Sequence, residues 1–294
     1  MKKKLLALGL SCLLLWTCGC SGREIGVSEP TASPEYTPTC GPGVPYRTAF
    51  RIVETLEGGP LLLAELERED LIPSGIDICY VNPEGLEIWL DGEKADASAL
   101  EDGMAIEITW DGTVLTTYPA QMGKVYTIDA WSLGSEKNPG GGYYDLCGLY
   151  LQVLDDLWEK DAGLNSGAIF AGVDLSRAPG DLSENEKRAI VWHFAGKHGV
   201  QPLEGTWEQL KAQGYFDVAL EGEKSTLYEW KNGVHFTIEP VEEGEVEVFS
   251  LPVLKFEAHK WRSPLGAYWL SDCSAVWPQM GSWSEYTIGS EAIA

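Results

Sequence analysis

Two hydrophobic periods run along this chain, and they divide it. Across residues 46–133 apolar side chains recur at every second position. Met104, Ile106, Ile108 and Trp110 alternate with Ala105, Glu107 and Thr109, and Leu86, Ile88 and Leu90 flank Glu87 and Trp89. Ile76, Ile78 and Tyr80 do the same around Asp77 and Cys79. This is the period of strands with one buried face. Leu61, Leu62 and Leu63 form a short apolar run, and Val125, Tyr126 and Ile128 close the set. Turn signals separate these runs at Pro73-Ser74-Gly75, Asn82-Pro83-Glu84-Gly85, Asp91-Gly92 and Asp111-Gly112. So many short strands in so short a stretch predict a small β-barrel.

The segment Asn138-Pro139-Gly140-Gly141-Gly142 marks an internal boundary, and beyond it the period changes. Leu146, Leu149, Tyr150, Val153, Leu154, Leu157 and Trp158 fall on one helical face. Ser183 with Glu186 reads as a capping box opening a helix through Val191, Phe194 and Ala195. Thr206 with Gln209 opens a shorter helix that Gly214 ends. Asn232-Gly233 reads as the turn of a hairpin joining residues 227–231 to 234–238. Strand-like runs follow at 245–249, 253–258, 265–276 and 282–288. The expected fold is a β and α/β mixture: a small OB-like β-barrel at 46–133, a linker at 134–142, and an α+β domain at 143–294. In that domain helices precede an antiparallel sheet.

The N-terminus addresses location. Lys2, Lys3 and Lys4 precede an apolar run over residues 5–16. A spanning helix needs about 20 apolar residues, so this run is a signal peptide rather than a membrane span. The sequence that follows, Thr17-Cys18-Gly19-Cys20-Ser21-Gly22, resembles the lipobox of bacterial lipoproteins. The resemblance implies that Cys20, preceded by Gly19, receives the lipid after removal of residues 1–19, with Cys18 as the second candidate. It places the chain at the cell membrane, on the extracytoplasmic face, held by a lipid anchor. Residues 20–45 are rich in proline and glycine and read as a tether. Such a linker spans about 25–30 Å.

A second resemblance covers about a third of the chain. Residues 103–112, Gly-Met-Ala-Ile-Glu-Ile-Thr-Trp-Asp-Gly, and then Tyr118-Pro119-Ala120-Gln121, are similar to an OB-type domain of unknown function in uncharacterised lipoproteins of Gram-positive bacteria. It implies the barrel and no particular ligand.

The 294 residues include 21 Lys and Arg against 45 Asp and Glu, a formal net charge of −24. Cleavage before Cys20 removes three lysines and no acid. So acidic a body repels nucleic acid, which is excluded as a partner. The expected partners are the membrane, through the anchor, and an envelope ligand.

Catalytic signatures are missing from the sequence. It holds no phosphate-binding glycine loop and no G-x-S-x-G elbow. His193 and His198 lie five apart, so they diverge around a helix and do not make a metal pair. His193 reads as a partly buried polar residue and His235 as solvent-facing. Neither a metal nor a cofactor is expected. Cys147 with Cys273 is the disulfide candidate among Cys40, Cys79, Cys147 and Cys273. Cys147 as the nucleophile of a cryptic hydrolase has no motif behind it. Residues 255–262, Lys-Phe-Glu-Ala-His-Lys-Trp-Arg, concentrate basic and aromatic side chains in an acidic chain. Lys260, Trp261 and Arg262 are therefore the candidate binding residues. Three readings follow: a non-enzymatic envelope binding or accessory protein, a carbohydrate- or wall-polymer-binding module that uses tryptophans and the Lys260–Arg262 segment, and a cryptic hydrolase that uses Cys147 or acidic residues.

Overall fold

The computed structural model describes residues 45–71, 73–115, 117–135, 145–222, 225–241, 253–276 and 286–294. Cys18, Cys20, Cys40, the tether, the glycine boundary at 138–142 and the run at 245–249 lie outside these residues.

The first half consists of β1 (Tyr46–Thr55), β2 (Leu61–Glu65), β3 (Ile78–Val81), β4 (Glu87–Leu90), β5 (Glu93–Ala95), β6 (Ala105–Trp110), β7 (Val114–Leu115), β8 (Ala120–Met122) and β9 (Val125–Trp131). They form one sheet in the order β5-β4-β9-β6-β1-β2-β3-β8-β7. One face carries Phe50, Ile52, Leu61, Leu63, Ile88, Ile106, Ile108, Trp110 and Ile128, all fully enclosed. A single sheet that buries its own face so completely must coil around it. Trp110 sits in this core with its indole N–H donating to Thr48 Oγ1 at 3.0 Å. The edges β5 and β7 do not pair with each other, so the expected barrel is an open, curled sheet. The Asp91-Gly92 turn forms as its sequence predicts, with both residues at positive φ and Leu90 opposite Glu93.

The second half runs α1 (Leu146–Glu159), β10 (Phe170–Asp174), α2 (Glu184–Lys197), β11 (Gln201–Glu204), α3 (Trp207–Ala212), β12 (Asp217–Glu221), β13 (Thr226–Glu229), β14 (Gly233–Pro240), β15 (Val253–Ser263), β16 (Gly266–Val276) and β17 (Ser290–Ile293). Both predicted capping boxes form, at Ser183–Glu186 and Thr206–Gln209. Asp145 caps α1 by accepting the Gly148 N–H at 2.9 Å.

Two expectations are corrected. The sheet of this half, β11-β10-β14-β15-β16-β17, is mixed rather than antiparallel: β10 pairs in parallel with both β11 and β14. A crossover through α2 joins β10 to β11, which parallel pairing requires. The Asn232-Gly233 hairpin does not form either. β13 takes β12 as its partner, while β14 pairs with β10 and β15. Trp230 explains the switch. Its fully buried indole lies beneath Gly233, where an added Cβ would come within 2.1 Å of the ring. Its backbone N–H donates to the Arg262 carbonyl at 2.7 Å. The chain is thereby pinned between the small β12–β13 ribbon and the main sheet instead of reversing on itself.

Helices α1 and α2 form a middle layer. Their apolar faces, Leu149, Tyr150, Val153, Leu154, Leu157, Ile190 and Phe194, meet Val234, Phe236, Ile238, Phe256 and Leu270 of the mixed sheet. The same core takes in Val53, Leu62, Ala64 and Ile78 from the outer face of the curled sheet. Each fully enclosed large side chain contributes about 1.5–3 kcal/mol. The outer face of the curled sheet is thus divided. The β1–β2–β3 part lies against helices, Arg47 and Arg68 pair with Glu107 on β6, and the β4–β9 part stays partly exposed.

Candidate functional site

Within the basic segment Lys260 faces inward, while Lys255 is exposed and Trp261 and Arg262 are half-buried. Strand β15 alternates, with Phe256, Ala258 and Lys260 on the helix side. Lys260 is completely enclosed. Its ammonium donates to the carbonyls of Trp158, Lys160 and Asp161 at 3.0, 2.7 and 3.3 Å. These carbonyls belong to the end of α1 and the turn after it, where a cation satisfies groups the helix leaves unpaired. Arg262 donates to the carbonyls of Leu164, Ser166 and Lys231. Trp261 packs on Trp207 and Phe216, with ring centroids 5.7 and 5.1 Å away. The expected outward surface at Lys260, Trp261 and Arg262 is corrected for Lys260, which is enclosed; Trp261 and Arg262 are half-buried and engage neighbours within the fold.

Other candidates also find internal partners. His235 is buried, not solvent-facing, because the corner between β11 and α3 covers it; its Nε2 lies 3.1 Å from the Gly205 carbonyl. His198 stacks on Trp158 and pairs with Asp155 at 2.8 Å. His193 is half-buried, and burial lowers its pKa. Cys79, Cys147 and Cys273 are buried free thiols, so the Cys147–Cys273 bridge is absent. Desolvation raises the Cys147 pKa well above the ordinary thiol range, and Glu186 and Asp145 raise it further. A buried thiol held protonated is no nucleophile.

The open part of the curled sheet carries a different arrangement. Trp89 on β4 stands opposite Asp129 on β9, and Trp131 lies two residues along β9 on the same face. Trp89, Asp91, Gly92, Asp129, Ala130 and Trp131 line an open groove of about 190 Å³. Both tryptophans are half-buried, so each leaves part of its indole to solvent. The tight Asp91-Gly92 turn sets Asp91 at the rim, where its carboxylate accepts the Ser132 N–H at 3.3 Å. The Asp129 carboxylate has no hydrogen-bond partner among the described residues. Burial raises its pKa, and Glu107, opposite it on β6, raises it further, while Arg47 lowers it. A partly desolvated carboxylate between two indoles can accept a hydrogen bond from a polar ligand whose apolar face lies on the rings.

A second hollow of about 220 Å³ lies between β1, β2, the loop after β2 and the start of α2. Most of its polar groups are taken. Glu65 accepts from the Ser74 and Ile76 N–H groups at 2.6 and 3.1 Å, Arg68 pairs with Glu107 and Asp70, and Asp77 pairs with Arg188. A third feature, which spacing along the chain does not reveal, is the convergence of Glu239, Glu257 and His259 on the mixed sheet. The register that sets Trp89 beside Asp129, or Glu239 beside Glu257, is likewise a property of the folded sheets.

No helix of the described residues is long and apolar enough to cross a membrane. Comparison with family models, curated proteins and solved structures finds no match for this chain.

Proposed function

We propose that this chain is a lipid-anchored, extracytoplasmic binding protein of the cell envelope, and that its groove between Trp89 and Trp131 takes the sugar rings of an envelope polymer. The observation that carries the reading is the groove: two half-exposed indoles flanking the unpartnered Asp129 carboxyl. A sugar ring has apolar C–H faces that suit an indole, and hydroxyls that suit a carboxyl. The curled sheet that presents the groove supports the OB-like reading of residues 46–133.

Charge narrows the ligand. Asp91 and Asp129 line the groove, and Glu107 and Glu87 lie close enough to Asp129 to raise its pKa. A phosphate-rich polymer is repelled there, as is nucleic acid. Neutral sugars are accepted, and an amine-bearing sugar gains from the acids and from an indole face. The anchor rests on the lipobox resemblance at Cys20, and the tether lets an acidic body stand off the bilayer beyond the screening length of about 10 Å.

A glycan array tests the reading. The purified full chain should mark neutral and amine-bearing oligosaccharides and leave phosphorylated ones unmarked, and Trp89→Ala and Trp131→Ala should erase the signals. Uniformly flat signals for the unaltered chain, or signals unchanged in both variants, would overturn it.

A further inference from the structure

The mixed sheet carries a ligand set that the groove does not use. Glu239 on β14 and Glu257 on β15 stand directly opposite each other in the antiparallel ladder. His259 lies two residues from Glu257, on the same face of β15. Its Nε2 is 3.3 Å from Glu257 Oε2, and its Nδ1 is 3.8 Å from Glu239 Oε1. One ligand atom from each of the three residues lies within 4.8 Å of the other two, and all three side chains are half-buried.

Two neighbours fix the geometry. Arg177 Nη1 donates to Glu239 Oε2 at 2.8 Å, which leaves Oε1 as the oxygen facing the imidazole. Trp269, opposite His259 on β16, packs its ring against the imidazole at 6.4 Å between centroids. A hydrogen-bond donor beside a ligating carboxylate is what a metal site uses to orient its ligands.

We propose that Glu239, Glu257 and His259 form a binding site for a divalent transition metal of the zinc class. Two carboxylates offset most of a dication's charge, with Arg177 neutralising part of Glu239. The imidazole selects a first-row transition metal over calcium or magnesium, which prefer all-oxygen shells. Three protein ligands leave a coordination position for water or an incoming group. The surplus of acidic residues raises the local cation concentration. The competing arrangement is a metal-free triad held by contacts of His259 with the two glutamates, and a zinc titration gives opposite results for the two. The site is on a different sheet from the Trp89–Trp131 groove and does not depend on it.

The test is a calorimetric titration of zinc chloride into the purified full chain, stripped with chelator, with accessible thiols alkylated beforehand. The expected result is saturable uptake of one zinc per chain. Uptake should be lost in Glu257→Gln and His259→Ala, and weakened about tenfold in Arg177→Gln, where only the orienting donor is removed. Circular dichroism should be unchanged in all three. If a variant fails to fold, cobalt added to the unaltered chain decides alone: it should broaden the imidazole signals of His259 before those of His193, His198 and His235. The absence of saturable zinc uptake, uptake unaffected by the substitutions, or broadening centred on another histidine would overturn the proposal.

Discussion

Arg51 Nε lies 3.1 Å from Glu186 Oε1, and both side chains are almost wholly withdrawn from solvent. The pair joins β1 of the curled sheet to the first turn of α2. Glu186 also completes the capping box, where its Oε2 accepts from both the Ser183 N–H and the Ser183 hydroxyl. Arg51 also donates to the Gly103 carbonyl at 3.0 Å. Arg51→Met therefore strands a buried carboxylate, at a cost of about 3–5 kcal/mol in urea unfolding. Adding Glu186→Gln to that variant should recover part of the loss, because the stranded charge is gone. A single variant as stable as the unaltered chain would mean that the pair does not hold the layers together.

Asp145 gives stability a dependence on pH. Burial pushes its carboxyl up to about 7, with Asp102 and Glu54 adding to the rise while the Gly148 N–H and Arg51 oppose it. Between the ordinary aspartate range and pH 7 the folded chain holds a proton that the unfolded chain has released. The contribution of Asp145 is therefore most favourable in acid and is lost as pH rises to about 7. Asp145→Asn keeps a capping side chain and removes the titration. The variant should raise the melting temperature at pH 8 and leave it nearly unchanged at pH 4. Equal shifts at the two pH values would refute the assignment.

The three described thiols should behave as core side chains. Cys79, Cys147 and Cys273 are buried, and desolvation carries the Cys273 pKa to about 12. Alkylation of the folded chain without reductant, read by mass spectrometry, should leave all three unmodified, and denaturant should expose all three. A thiol that stays blocked in denaturant until reductant is added would reveal a bridge.

The anchor is tested by fractionation. Cys20→Ser with Cys18→Ser should move the protein out of the membrane fraction, since lipid tails contribute about 0.8 kcal/mol per buried methylene and two chains hold a protein stably. Retention of the double variant in membranes would end the lipid-anchor reading.

Local signals are legible in the sequence, and long-range ones are not. The capping boxes at Ser183 and Thr206 involve residues three apart, so the helices they open are readable. Strand β10, only five residues long, carries no alternation because a parallel strand inside the sheet is covered on both faces, and β11 is a four-residue edge strand too short to show a period. The hairpin signal at Asn232-Gly233 loses to the burial of Trp230, a tertiary effect. Lys260 resembles a surface charge because of its basic neighbours, although it shares parity with Phe256 and Ala258, and that parity assigns it to the apolar face. The groove depends on the Trp89–Asp129 register, which joins residues far apart in the chain. Nothing in the spacing of tryptophans selects these two from the enclosed Trp110 and Trp230.

The most direct test of the central claim is retention on purified cell-wall polysaccharide, comparing the full chain with the Trp89→Ala/Trp131→Ala double variant. Both indoles stand at the edge of the fold rather than in its core, so the variant should remain folded. The account predicts that the unaltered chain is retained and displaced by free oligosaccharide, while the double variant passes through. Equal retention of both proteins, or retention of neither, would contradict it.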